Sequence, residues 1–246
     1  MKLFQFLAAT ALLVSPGAAS GALIVGNTAD QFIAGPSTSG PQDGTGTSLG
    51  NAAGVTLKVG RVAGSNADAG RNAVYVFQLP NLGAVANPFT SAALSFGITT
   101  IDNNTAVNVD LYGLGRRDAA PTIAVGDYYF ANGADSTDAT RLQVDILTPT
   151  STPNSIISTD GTGSANLLAF LNAQYAGGVG VGEYVYLRLN VDGALNNIVR
   201  GYNVNTADVA DAASKPTITF EAIPEPATFS LAALGCAAVV LRRRSR

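Results

Sequence analysis

The sequence predicts an all-β fold, an antiparallel two-sheet jelly-roll-like sandwich with one short helix, set between two terminal segments of different character. Three observations carry that prediction. Between residues 23 and 222 apolar side chains alternate with polar ones instead of recurring at helical spacing. The same region is rich in Gly, Ala, Val, Thr, Asn and Asp, which favour strands and tight turns. It is also long enough to bury one sizeable core, and many short strands with one polar face each close most economically as two packed sheets.

Taken in order, the chain opens with Lys2, an apolar run from Leu3 to Val14, and the helix-breaking, small-residue stretch Pro16-Gly17-Ala18-Ala19-Ser20-Gly21-Ala22. These are the three parts of a secretory signal peptide over residues 1–22. Cleavage after Ser20 or after Ala22 fits the small residues, and Ala22 is preferred because Leu23-Ile24-Val25 then begins the mature chain as a strand. Strands are expected near 22–25, 31–34, 55–62, 73–79, 91–98, 106–112, 127–130, 142–147, 183–190, 198–204 and 217–221. Residues 35–54 read as a long polar surface loop within one domain, 23–222, because too little precedes them to fold alone. One helix interrupts the pattern, with Ser164 as its N-cap, Leu167, Leu168, Leu171 and Tyr175 on one face, and Gly177-Gly178 as its end. It is expected to cover one end or edge of the sandwich.

Alternation assigns the faces. Tyr75, Phe77 and Leu79 point inward, as do Ala92, Leu94, Phe96 and Ile98, then Val107, Val109 and Leu111, then Val185, Leu187 and Leu189. Each strand is thereby expected to keep one wet face.

Past Ile223 the composition changes. Pro226 fixes its own φ and needs no amide partner, so it suits a first helical turn, with Glu225 at the positive end of the dipole. The 16 residues 226–241 carry no charge, about 24 Å of helix against a hydrocarbon core of roughly 30 Å. The run reads as a short single transmembrane helix, the alternative being a buried core helix, and Arg242, Arg243, Arg244 and Arg246 behind it would place the tail in the cytoplasm and the rest of the chain outside. The three parts in order, Pro224-Glu225-Pro226, the apolar run and the Arg-rich tail 242–246, resemble the PEP-CTERM sorting signal, a motif also filed as the ice-binding protein C-terminal domain. The resemblance covers residues 223–246. It implies export, anchoring in the inner membrane, recognition by an exosortase that processes the tail, and delivery to the cell surface or extracellular matrix.

The residue inventory excludes much chemistry. The chain has no His, and its single Cys is Cys236 inside the apolar tail, so Ser-His-Asp, Cys-His and His- or Cys-based metal constellations are absent from the ectodomain. Lys58 and Lys215 sit in no Ser-Lys motif, Glu is scarce (Glu183 and Glu221), and most Asp fall in turns. Asp102-Asn103-Asn104 and Asp135-Ser136-Thr137-Asp138 lack the spacing of a calcium loop. A glycan-active enzyme working through two carboxylates is the remaining catalytic alternative; no catalytic residue, metal site or cofactor is expected. Setting aside the two terminal segments leaves nine basic residues against 16 acidic ones in 23–222, a net of about −7 that argues against a nucleic-acid partner.

The sharper binding expectation concerns the outward face of two strands. Tyr184, Tyr186, Arg188 and Asn190 point opposite to Val185, Leu187 and Leu189, and Asn108, Asp110 and Tyr112 do the same on their own strand. If those strands are neighbours, tyrosine faces flanked by amides and carboxylates form a shallow platform for extracellular polysaccharide. The alternative is a set of cross-strand pairs with no ligand. The segments Arg71-Asn72-Ala73-Val74-Tyr75-Val76-Phe77-Gln78-Leu79-Pro80, Thr90-Ser91-Ala92-Ala93-Leu94-Ser95-Phe96, Val109-Asp110-Leu111-Tyr112-Gly113 and Lys215-Pro216-Thr217-Ile218-Thr219-Phe220 are similar to the DNRLRE-type domains. The resemblance implies a secreted jelly-roll module, carbohydrate-binding in several relatives. Those domains usually carry a Trp-containing segment after the middle strands and this chain has no Trp, so sugar binding does not simply carry over from the resemblance. The scattered Thr residues lack the regular array that an ice-binding surface needs.

Overall fold

The computed structural model describes residues 19–35, 42–43, 46–50, 54–61, 70–82, 85–102, 107–117, 121–130, 138–179, 182–192 and 200–223. Its strands are β1 (Ala19–Val25), β2 (Gln31–Ala34), β3 (Gln42–Asp43), β4 (Ser48–Gly50), β5 (Thr56–Arg61), β6 (Gly70–Gln78), β7 (Phe89–Asp102), β8 (Val109–Arg117), β9 (Tyr129–Phe130), β10 (Thr140–Leu147), β11 (Ser155–Ser158), β12 (Tyr184–Val191), β13 (Arg200–Asn205) and β14 (Thr217–Ala222). Among the described residues a single α-helix, α1, spans Gly161–Gln174. The described residues are mostly β with one short helix, as their alternation demands. Among the described residues no helix is long and apolar enough to cross a membrane, and residues 1–18 and the helix expected at 226–241 lie outside them.

The hydrogen-bonded order runs β1-β14-β7-β13-β5-β6-β12-β8-β10 without a break, with β11 on β7, β2 on β6 and β4 on β2. All pairs are antiparallel. Twist accumulates across so many strands, and here the sheet curls back over itself. The turning point is narrow: β5 and β6 share two residue pairs, Gly60↔Arg71 and Arg61↔Gly70. Across the interior Tyr75 of β6 meets Phe96 of β7 with ring centroids 5.5 Å apart. All the inward residues named from alternation are buried there.

The helix closes the seam. It packs on β7, β8 and β10, bringing Leu167, Leu171 and Tyr175 fully inside with Phe170, while Leu168 is half-buried. Asn172 donates to the Phe89 carbonyl at 3.1 Å and accepts from its N–H at 3.0 Å, and Thr159 exchanges the same two bonds with Leu94. With β11 paired to residues 95–98, the second edge of β7 is occupied along much of its length, which blunts its capacity to recruit foreign strands.

One buried acid near this core gives the fold a pH dependence. The Asp30 carboxylate, 1% exposed, accepts from the N–H of Val76 at 2.8 Å and of Ala207 at 3.1 Å. Burial pushes its pKa from 3.8 up to about 8, outweighing the two amide donors. The folded state therefore holds a proton that the unfolded chain has released between those values. The associated stabilisation is complete below about pH 4 and is lost as pH rises through about 8, an effect of order a few kcal/mol. Urea midpoints of the wild-type protein should fall between pH 5 and pH 9, and Asp30→Asn should flatten that slope; parallel slopes in the two proteins would contradict the assignment.

Candidate functional site

The strands singled out for binding are indeed neighbours. β12 pairs with β8 so that Tyr184 faces Arg117, Tyr186 faces Gly115, Arg188 faces Tyr112 and Asn190 faces Asp110. Their shared outer face, however, is not wet. Tyr186 and Arg188 are 0% exposed and Asp110, Tyr112 and Asn190 at most 2%, while Tyr184 and Asn108 are half-buried. The expected open platform is corrected to a buried polar layer. β6 is likewise covered on both sides, with Val74 and Val76 as buried as Tyr75 and Phe77.

The cover comes from residues 121–130, a short 3-10 turn (Val125–Asp127) followed by Tyr128 and β9, with Asp138 beyond. Ile123, Tyr128 and Tyr129 turn their apolar surface onto the sheet. Polar anchors fix the register. Asn72 accepts from the Tyr129 N–H at 2.8 Å, and Arg188 grips the Asp138 carboxylate with both terminal nitrogens at 2.8 Å. Arg188 also donates through Nε to Asn190 Oδ1 at 2.7 Å and through Nη1 to the Asp127 carbonyl, with Tyr112 and Tyr129 rings 5.8 and 5.6 Å from its guanidinium. Arg117 forms a bidentate pair with Asp127 and lies 4.6 Å over the Tyr186 ring. The Asp127 hydrogen bond raises the Arg117 pKa, and burial raises that of Tyr186.

The buried Arg188 and half-buried Arg117 are therefore matched with carboxylates, carbonyls and ring faces, the condition under which such charges can be buried. Chemically this is a clamp. Lys58, one of the two lysines considered for nucleophilic chemistry, sits 4.0 Å from Asp102. Of the two acidic turns weighed for calcium, Asp102 also receives the Asn203 amide at 3.4 Å and Asp138 is held by Arg188, whereas 103–104 and 135–137 lie outside the described residues.

A different acidic group emerges at the end of the same layer. Asp110, Asp145 and Asp192 place one carboxylate oxygen each within 4.8 Å of one another. Asp145 donates its N–H to Asp110 Oδ1 at 2.7 Å, and Arg141 lies 3.9 Å from Asp110 Oδ2. Burial, aided by the neighbouring Asp192 and Asp145 charges, lifts the Asp110 pKa to about 6. Sequence reasoning missed this set because its members sit on three separate segments, and only strand pairing brings them together. Beside it, a cleft of about 660 Å³ runs between α1 and the sheet, lined by Gly113, Gly115, Arg141, Asn166, Phe170 and Gln174.

Against known proteins, residues 222–244 match the family model of the PEP-CTERM protein-sorting motif. Signals of this kind are recognised by exosortase. Pro224, Glu225, Pro226 and the arginines 242–244 fall inside the match, which lies almost wholly beyond the described residues. It does not extend to the DNRLRE likeness of the ectodomain or to ice binding. No curated protein matches the chain.

Proposed function

We propose that this protein is exported, sorted by exosortase and retained at the cell surface or in the extracellular matrix, where residues 23–222 act as a non-catalytic, jelly-roll-like structural ectodomain. The observation that carries the reading is the sorting motif at 222–244. Residues 1–22 serve as the signal peptide and 226–241 as the inner-membrane anchor of the precursor. β1 runs antiparallel to β14 with Leu23 opposite Thr219, so the start of the mature chain lies beside the strand that leads into the sorting segment. Leu23, Ile24 and Val25 keep their partners Thr219, Ile218 and Thr217 whether cleavage follows Ser20 or Ala22.

A structural role for the ectodomain is supported by its paired buried charges and by the closing of the tyrosine face that a polysaccharide would have needed. The sorting step is tested by replacing Pro224-Glu225-Pro226 with alanines in an exosortase-positive host. The expected result is an unprocessed precursor in the membrane fraction and at least a tenfold loss of surface-delivered protein, read by fractionation and immunoblotting. Unchanged processing would remove the basis of the reading.

A further inference from the structure

Three carboxylates meet at one end of the β12–β8–β10 layer, and Arg141 is placed against them, 3.9 Å from Asp110 with its own side chain 41% exposed. Like charges this close repel strongly unless a cation or a proton lies between them. Asp145 Oδ1 is out of contact with solvent and has no hydrogen-bond partner, an expensive condition for a carboxylate oxygen. A second observation is independent of the acids. Asn190 is 2% exposed and sits directly opposite Asp110, so their side chains leave the same face of the sheet. Its Oδ1 is turned back to Arg188 Nε at 2.7 Å, which leaves Nδ2 on the side of Asp110 and Asp192, and that donor has no partner. An unmet acceptor thus belongs to one of the three acids, and an unmet donor to the residue directly opposite another of them. A hydrated cation answers both, taking the carboxylate oxygens as ligands and offering the oxygen of a bound water to Nδ2.

We infer that Asp110, Asp145 and Asp192 form a divalent-cation site, with calcium the ion that suits it. The ligands are hard oxygens from three chain segments with no octahedral frame among them. Calcium accepts six to eight oxygens in irregular geometry, whereas magnesium demands near-ideal octahedra and sheds water reluctantly. With three carboxylates and the remaining positions filled by water, the affinity belongs with weak extracellular modules, about 10⁻⁴–10⁻³ M. The ion ties β8, β10 and the end of β12 together, and so completes the layer that Arg188 organises.

Terbium, which replaces calcium at such oxygen sites, provides the probe. The chain has no Trp, and the Tyr112 hydroxyl lies 3.4 Å from Asp110 Oδ2, so tyrosine excitation should sensitise a bound terbium ion. The full-length protein should show saturable terbium luminescence that calcium displaces at least tenfold more effectively than magnesium. Asp145→Asn/Asp192→Asn should weaken the signal at least tenfold while its circular dichroism in EDTA matches wild type, and millimolar calcium should raise the wild-type Tm but not that of the variant. Absence of saturable luminescence, equal displacement by magnesium, or a signal that persists in the double variant would each overturn the assignment. Should the double variant fail to fold, a wild-type Tm indifferent to calcium and EDTA would overturn it as well.

Discussion

Replacing Arg188 with methionine is expected to destabilise the protein by about 3–5 kcal/mol, the usual consequence of breaking a buried ion pair from one side. The guanidinium is fully buried and engages Asp138, Asn190 and the Asp127 carbonyl together. Its loss strands several acceptors beneath residues 121–130. Methionine retains much of the apolar stem, so the measured loss reports the polar contacts more than volume. Asp138→Asn should cost less, because that side chain is 26% exposed and water can replace part of what is lost. In the double variant the two effects should fall short of their sum by more than about 1 kcal/mol, as for residues in one network. Guanidinium chloride titration measures all three proteins, and limited proteolysis within 121–138 should quicken in Arg188→Met. A loss under about 1 kcal/mol with proteolysis unchanged would mean that Arg188 does not hold the cover in place.

The same layer marks where the sequence stops being readable. The residues that period-two alternation pointed inward on β6, β7, β8 and β12 are all buried, but alternating burial survives only in part of β7, because β6, β8 and β12 are buried on their other face as well. The reverse face of β12, Tyr184-Tyr186-Arg188-Asn190, was expected to be wet because its residues are polar or amphipathic. Nothing local says that residues 121–130 fold across it. A weak signal existed in Ile123 and the Tyr128-Tyr129 pair, apolar groups in what was otherwise turn sequence. β11 and the short strands β3 and β4 escaped notice for a related reason: two to four residues carry too little period to be seen. The helix starts at Gly161 with Asp160 as N-cap, not at Ser164, since Asp160 Oδ1 accepts from the Gly163 N–H at 2.6 Å. Two glycines in its first turn disguised it, and Gly163 is needed there because Gln143 packs against the position a Cβ would take. The sorting motif needed no tertiary information. It is a linear code of turn, apolar run and charge, so its three parts could be recognised without knowing the fold.

The curl of the sheet depends on a contact that no hydrophobic pattern encodes. Gly60 of β5 faces Gly201 of β13, with φ of 118° and 155°, values that residues with a Cβ rarely adopt. The two backbones press together: a Cβ on Gly60 would lie 2.6 Å from the Gly201 Cα and closer still to the Arg200 carbonyl oxygen, and one on Gly201 would strike the Val59 carbonyl oxygen. Because the clashing atoms are main chain, rotamer changes cannot relieve them. Gly60 also forms one of the two pairs joining β5 to β6, so pushing β13 away acts on the narrow bridge between the facing halves. Gly60→Ala should therefore lose at least about 3–5 kcal/mol, combining backbone strain with overpacking. Gly126→Ala, where a Cβ meets nothing within 4 Å, serves as the neutral control and should stay within about 0.5 kcal/mol. Thermal unfolding and soluble yield separate the two variants. If Gly60→Ala melts with wild type, the close approach of β5 and β13 is not what turns the sheet, and the curl must be set by the aromatic packing of Tyr75 on Phe96 instead.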